Sequence, residues 1–284
     1  MKVLVIGLGK LGSMIAKRLS VSPEYSVYVW NRSPDASLSH SKTYGTIFTS
    51  ELSISVSAVD YVVSVVTDSA AVSEILKSLR ESRCISSALW IDATSGDPSQ
   101  SVSNACIASD LGMSFIDCAV SGGPRGAESG TLMGMVGGSI ENVERARPLL
   151  SLMTRKFYHL GPIGAGHAVK AVNNTLLAAH MLLASEALGI LKNKGVDINL
   201  AAEVISGSSG GSHVMSDRMI KYVLNSGYDY GFSMAGLSKD VKIGTNMTDD
   251  MTSLLKDIEK RTSEALETLG PTADHTEIAK LFNI

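Results

Sequence analysis

The sequence predicts an α/β domain with a doubly wound parallel sheet, followed by an all-α domain. Three observations predict this: short β-branched runs alternate with helical stretches up to about residue 160, a glycine-rich turn at Gly7–Gly12 joins the first strand to a helix, and helical periodicity dominates after Gly161. The expected domains are residues 1–162 and 163–284.

The strands read as Val3–Ile6, Ser26–Trp30, Tyr61–Val66, Leu89–Asp92, Phe115–Asp117 and Met133–Val136. Each is a short apolar run, and helical spacing lies between them, which is the pattern of βαβ units. The second half reads as helices Ala168–Lys194, Leu200–Ser206, His213–Leu224, Met234–Met247, Met251–Leu269 and Thr276–Leu281, broken at Gly195, Ser206–Ser212, Ser226–Gly231 and Gly270-Pro271. The longest apolar run, roughly Ala168 to Leu191, has the length of a membrane span, but Asn173, Asn174, His180 and Glu186 interrupt it, and each is costly in lipid. It is expected as a helix buried inside protein.

Composition narrows the partners. The chain has 44% hydrophobic and 19% charged residues, with a net charge of −3 and no lysine or arginine run. That leaves no electrostatic footprint for nucleic acid or an anionic membrane, so a small-molecule partner is expected. Cys84, Cys106 and Cys118 show no CxxC spacing, which points to a reducing compartment and to neither a disulfide framework nor a metal site. The chain opens directly on a strand, Met-Lys-Val-Leu-Val-Ile, so no cleavable leader is expected and the location is read as cytoplasmic.

Gly7, Leu8, Gly9, Lys10, Leu11 and Gly12 follow the first strand and lead into the helical pattern Met14–Leu19. In that strand–turn–helix context a G-x-G-x-x-G fingerprint implies a dinucleotide: the glycines permit a tight turn and close approach of backbone to a pyrophosphate seated on the helix N-terminus. The domain is therefore of Rossmann type. Binders of NAD usually end the second strand with an acid about 20 residues on, bonded to the ribose 2′-hydroxyl. Here the tip reads Trp30-Asn31-Arg32-Ser33. Arg32 can pair with a 2′-phosphate while Asn31 and Ser33 supply hydrogen bonds, which favours NADP, and Asp35 nearby keeps NAD open. A solvated loop charge is the competing reading of Arg32.

Two further segments carry chemistry. Lys170 and Asn174 stand four residues apart and share one helix face just after the glycine-rich turn Gly161–Gly166, so the ammonium can exchange a proton with a substrate hydroxyl that the amide orients. A core helix with a snorkelling lysine explains the same pair. Ser121, Gly122 and Gly123 follow a strand, and their N–H groups and hydroxyl suit a carboxylate, although a plain turn explains them as well.

Taken in order, Gly7-x-Gly9-x-x-Gly12, Asp92-x-Thr94-Ser95, Val120-Ser121-Gly122-Gly123 with Met135-Val136-Gly137-Gly138, Gly161-x-x-Gly164-x-Gly166-x-x-x-Lys170-x-x-Asn173-Asn174 and Phe232 followed by Lys239-Asp240 make the chain resemble the β-hydroxyacid dehydrogenase family. That group includes 3-hydroxyisobutyrate dehydrogenase, tartronate semialdehyde reductase and the glyoxylate/succinic semialdehyde reductases. The resemblance spans nearly the whole chain, down to Asp274-His275-Thr276. It implies hydride transfer between nicotinamide and a short β-hydroxy acid or semialdehyde, with Lys170 as acid/base, Asn174 as its orienting amide and Ser121, Gly122 and Gly123 holding the carboxylate. It also implies that Lys239 reaches cofactor or substrate, that Val66, Thr67 and Ser95 line the dinucleotide, and that the protein is a homodimer or homotetramer.

Departures from the family pattern are Ala119 where a proline is usual and Val66-Thr67 in place of Leu-Pro. The related 6-phosphogluconate dehydrogenases carry His-Asn where this chain has Asn173-Asn174, and imine reductases lack the lysine that Lys170 preserves. A non-catalytic dinucleotide-sensing module of the same fold is the alternative from another class.

Overall fold

The computed structural model describes residues 1–247 and 253–284. The expected helix start at Met251 lies outside the described residues. The chain divides into two compact units, Met1–Lys170 and Ala171–Ile284.

In the first unit the elements run β1 (Lys2–Ile6), α1 (Lys10–Ser20), β2 (Ser26–Trp30), α2 (Pro34–Tyr44), β3 (Ile47–Phe48), α3 (Leu52–Ser57), β4 (Tyr61–Ser64), α4 (Ser69–Glu81), β5 (Leu89–Asp92), α5 (Pro98–Asp110), β6 (Ser114–Ser121), α6 (Gly123–Ser129), β7 (Leu132–Gly137), α7 (Ile140–Met153) and β8 (Thr154–Gly161). The strands form one sheet in the order β3-β2-β1-β4-β5-β6-β7-β8. Neighbours are parallel, with Val5 opposite both Val29 and Val63, except that β6 and β7 pair antiparallel. This is the Rossmann-type doubly wound sheet that the alternating pattern predicts.

The sheet is buried on both faces, which is why its strands read as continuous apolar runs. Val3 and Val5 pack with Ile15, Leu19, Leu149 and Leu150 on one side, while Leu4 and Ile6 pack with Leu76, Leu79 and Trp90 on the other. Each such side chain taken from water contributes roughly 1.5–3 kcal/mol.

Two strands escape the sequence pattern. β3 has two residues, too short for a period, and β8, Thr-Arg-Lys-Phe-Tyr-His-Leu-Gly, lies at the sheet edge with most of its side chains exposed. An edge strand with little to bury shows no hydrophobic alternation.

The helix α8 (Ala165–Asn193) begins in the first unit and carries Lys170. The second unit then has α9 (Ile198–Ser206), a helix of π type over Val214–Val223, α10 (Met234–Thr245), α11 (Ser253–Leu269) and a 3₁₀ segment at His275–Phe282. Its core gathers Met181, Leu188, Met219, Leu237, Val241 and Ile278. Sequence periodicity anticipates a regular helix at His213–Leu224, whereas the chain bonds across one residue more, as from Leu224 N–H to the Met219 carbonyl at 2.8 Å. By length and composition α8 is long and apolar enough to cross a membrane, and half of its apolar window is buried inside the protein.

Candidate active site

The order of the sheet reverses at β1, whose neighbours are β2 and β4. Doubly wound sheets take their ligands in the crevice beyond the carboxyl ends of the strands at such a reversal. The predicted coenzyme residues stand around it: Gly7–Gly12 after β1, Val66 and Thr67 after β4, and Ser95 after β5.

The three glycines of the turn serve different ends. Gly7 has φ of 94°, and a Cβ there would collide with the Val65 carbonyl oxygen. One on Gly12 would collide with the Gly7 carbonyl oxygen, so these two glycines let α1 press against β1 and β4. Gly9 is unlike them: a Cβ would meet nothing within 4 Å. Gly9 also caps α1 without a side-chain hydrogen bond, and the first turn of that helix holds no acid. Open space beside a helix N-terminus that no side chain caps is where an anion can approach backbone, so these residues fit the pyrophosphate of a dinucleotide. Leu8 and Leu11 turn their side chains to the core and offer backbone only, while Lys10 is exposed.

Asn31 joins the glycine turn to the tip of β2. Its Oδ1 accepts the Leu8 N–H at 3.0 Å, and its Nδ2 donates to the Ser33 carbonyl at 3.3 Å. The side chain thus shapes the glycine turn and the tip of β2 together. Arg32 and Ser33 are exposed at that tip, and Ser33 is the N-cap residue of α2. Behind the turn the buried His40 donates from Nε2 to the Ser13 carbonyl at 2.9 Å, so its Nδ1 accepts from the Thr46 hydroxyl at 2.9 Å. Burial holds the His40 imidazole below its ordinary range, which keeps this brace neutral.

The loop after β5 is anchored by Asp92, a fully buried carboxyl that the sequence showed only as part of a motif. Its Oδ1 accepts from the Ser64 hydroxyl at 2.8 Å and from the Thr94 N–H at 3.1 Å, and Trp90 Nε1 donates to Ser64 Oγ at 2.8 Å. Burial pushes the Asp92 carboxyl up, against the opposing effects of His167 and of these hydrogen bonds. Thr94 Oγ1 in turn accepts the Val66 N–H at 3.2 Å, tying the loops after β4 and β5. Ser95 is half-buried and Thr67 exposed.

Ser121 ends β6, and Gly122 and Gly123 carry φ of 132° and 65° into α6. Such backbone favours glycine, at the φ of 132° above all. Cys118, three residues earlier, is fully buried; burial and the neighbouring Asp117 and Asp92 carboxylates push its thiol far up, so it packs as a small apolar residue. Among the described residues no group of histidine, cysteine and carboxylate side chains could hold a metal ion.

On α8, Lys170 is half-buried, and Asn174 follows one turn later, 3% exposed. Asn174 Nδ2 donates to Asp240 Oδ2 at 2.6 Å, and Asn173 Nδ2 donates to Asn174 Oδ1 at 3.1 Å. Lys239 Nζ lies 3.0 Å from Asp240 Oδ1. The structure thus brings Asn174 and Lys239, distant in sequence, onto one buried carboxylate. Sequence reasoning singled out both but overlooked Asp240 as the link; the Lys-Asp pair was its available signal. A Cβ on Gly244 would collide with Thr175 Oγ1 and lie 3.1 Å from the Ala171 carbonyl oxygen, so this glycine lets α10 approach α8 closely enough for the bond.

The family model described as the NAD binding domain of 6-phosphogluconate dehydrogenase matches residues 2–161, and that described as NAD-binding of NADP-dependent 3-hydroxyisobutyrate dehydrogenase matches residues 164–282. The 2-(hydroxymethyl)glutarate dehydrogenase of Eubacterium barkeri is 38% identical over 160 residues, 56% of this chain and 53% of that protein. The chain thus spans about half the length of that relative. The mitochondrial 3-hydroxyisobutyrate dehydrogenase of Drosophila melanogaster is 29% identical over 252 residues, 85% of this chain and 76% of that protein. Among solved structures, Mycobacterium tuberculosis 3-hydroxyisobutyrate dehydrogenase with L-serine superposes with a TM-score of 0.89 at 23% identity, covering 100% of this chain and 99% of that one, which is a likeness of fold.

Proposed function

The chain belongs to the β-hydroxyacid dehydrogenase family, and from that premise we propose that it is an NADP-preferring oxidoreductase that interconverts a short β-hydroxy acid and its semialdehyde. The observation that carries this reading is the constellation on α8: Lys170 one turn before an Asn174 whose carboxamide is locked to Asp240, with Lys239 on the same carboxylate. The bound dinucleotide supplies the hydride acceptor or donor.

The neutral amine of Lys170 takes the hydroxyl proton when the alcohol is oxidised, becoming an ammonium, and the ammonium returns a proton to the oxygen when the carbonyl is reduced. Asn174 fixes the direction of the same oxygen toward Lys170. Ser121, Gly122 and Gly123 hold the substrate carboxylate, and Lys239 adds positive charge beside the reacting group. Gly7, Gly9 and Gly12 shape the pyrophosphate turn, Val66, Thr67 and Ser95 line the dinucleotide, and Arg32 with Asn31 and Ser33 receives the 2′-phosphate. Residues 1–162 act as the coenzyme domain and 163–284 as the substrate and assembly domain.

The substrates named for two relatives, 2-(hydroxymethyl)glutarate and 3-hydroxyisobutyrate, share a hydroxymethyl group on the carbon next to a carboxylate. That fragment meets both requirements of the site, an anion for the Ser121 turn and an alcohol proton for Lys170, so it is the substrate class we assign. The protein works as a homodimer or homotetramer: Val172, Leu176, Leu183 and Ile190 leave one face of α8 apolar and 46–61% exposed, and a second copy covers it. Its three cysteines are free thiols, in keeping with a cytoplasmic location.

The test is turnover of 3-hydroxyisobutyrate, L-serine and 2-(hydroxymethyl)glutarate with NADP and NAD, in wild type and Lys170→Ala. We expect a loss of roughly 10²–10⁴-fold in kcat for the variant with coenzyme binding retained. Tight NADPH binding with no turnover of any hydroxymethyl acid would establish the sensing module instead.

A further inference from the structure

Asp117 lies on β6, fully buried, and its carboxylate takes two backbone donors from the start of α8. Gly164 N–H donates to Oδ1 at 2.6 Å, and His167 N–H donates to Oδ2 at 3.0 Å. Such N–H groups are orphans of a helix's first turn, and a carboxylate that receives two of them binds strongly there, helped by the helix dipole.

The surroundings are built to this contact. A Cβ on Gly137 would lie 2.5 Å from Asp117 Oδ1 and 2.9 Å from the Ala165 nitrogen. One on Gly166 would collide with the Met135 carbonyl oxygen and lie 2.7 Å from Asp117 Oδ2. Glycine at both positions thus lets the helix start press onto β7 with the carboxylate wedged beside it. His167 is held a second time, its buried Nδ1 lying 2.6 Å from Ser101 Oγ on α5. Because the Ser101 hydroxyl donates to the Asp97 carbonyl at 3.0 Å, the imidazole supplies the proton of that contact from Nδ1.

Lys170 follows His167 by three residues, less than one helical turn. We propose that Asp117 is the positioning residue for Lys170: by gripping the backbone at Gly164 and His167 it sets where the ammonium meets the substrate oxygen. This rests on the reading of Lys170 as the proton-transfer group. Proton transfer needs a heavy-atom separation of about 2.6–3.2 Å, and a displacement of about 1 Å costs on the order of 10²-fold in rate. The start of α8 therefore has to be fixed more tightly than folding alone requires.

The experiment is Asp117→Asn beside Lys170→Ala, reading kcat, the Kd for NADPH, and hydrogen exchange of the Gly164 and His167 amides. An amide keeps one acceptor but turns an N–H toward the second helix donor. The expected result is faster exchange at both amides, a fall in kcat of at least about tenfold and a Kd for NADPH within about twofold of wild type. A kcat within twofold of wild type while both amides exchange freely overturns the proposal. If Asp117→Asn does not fold, Gly166→Ala moves the same turn from its other side, and an unchanged kcat there overturns it equally. Should Lys170→Ala stay active, the reading of Lys170 fails; an inactive Lys170→Ala with a fully active Asp117→Asn removes Asp117 alone.

Discussion

Asn174 donates from Nδ2 to the Asp240 carboxylate at 2.6 Å, and both side chains are buried. The bond decides the orientation of the carboxamide, because Nδ2 is committed to Asp240 while Oδ1 accepts from Asn173. A carboxylate that also neighbours Lys239 makes one unit of two residues 65 positions apart.

Asp240→Asn replaces a charge-assisted bond, worth about 1.5–3 kcal/mol, by a neutral one worth about 1 kcal/mol. We expect kcat/KM for the hydroxy acid to fall roughly 2- to 30-fold, with coenzyme affinity unchanged. A double-mutant cycle with Asn174→Ala measures the coupling. Strictly additive effects would show that Asp240 acts by another route.

The glycines of the coenzyme turn should separate stability from binding. Gly12→Ala places a methyl group against the Gly7 carbonyl oxygen and lowers the Tm, whereas Gly9→Ala meets no protein atom and raises KM for the coenzyme with the Tm retained. Thermal melts beside coenzyme titrations check this. An equal Tm loss at both positions contradicts the division of roles.

Arg32 is exposed at the tip of β2, where we propose that it receives the 2′-phosphate. Arg32→Ala should lower kcat/KM with NADP by roughly tenfold or more while leaving NAD nearly untouched, since a lost charge-assisted contact costs about 1.5–3 kcal/mol. An unchanged ratio between the two coenzymes removes Arg32 as the selector.

Asp274 organises the end of the second unit. Its Oδ2 accepts the Gly231 and Phe232 N–H groups at 2.7 and 3.2 Å, and its Oδ1 accepts the Thr276 N–H and hydroxyl at 3.0 and 2.6 Å. Burial alone would raise its carboxyl, but hydrogen bonds from His275 and Thr276 outweigh that and hold it at about 2, against 3.8 for a free aspartate. A depressed carboxylate contributes stability that is fully present above 3.8 and is lost as pH falls toward about 2. Urea midpoints at pH 5 and pH 3 should therefore fall more steeply in wild type than in Asp274→Asn. Parallel slopes would refute this.

Much of the fold was legible because burial on two faces of a parallel sheet writes continuous apolar runs into β1, β2, β4 and β5. The glycine turn was legible for a related reason: backbone at φ of 94° leaves few residue choices. β8 was not, because an exposed edge strand has no inner face to mark. Nor was the bond that Asn31 makes to Leu8, since the same letter also suits a phosphate contact.

By itself the sequence determined the order of strands and helices, the glycine turn and the pairing of Lys170 with Asn174 on one helix, since all of these depend on neighbours along the chain. Only the tertiary structure decided which carboxylate meets which donor. Asp240 reaches Asn174 across 66 positions, and Asp117 reaches His167 across 50. A buried carboxylate needs donors within hydrogen-bond distance, and the fold chooses them by bringing distant backbone and amide groups together, which no spacing in the sequence records.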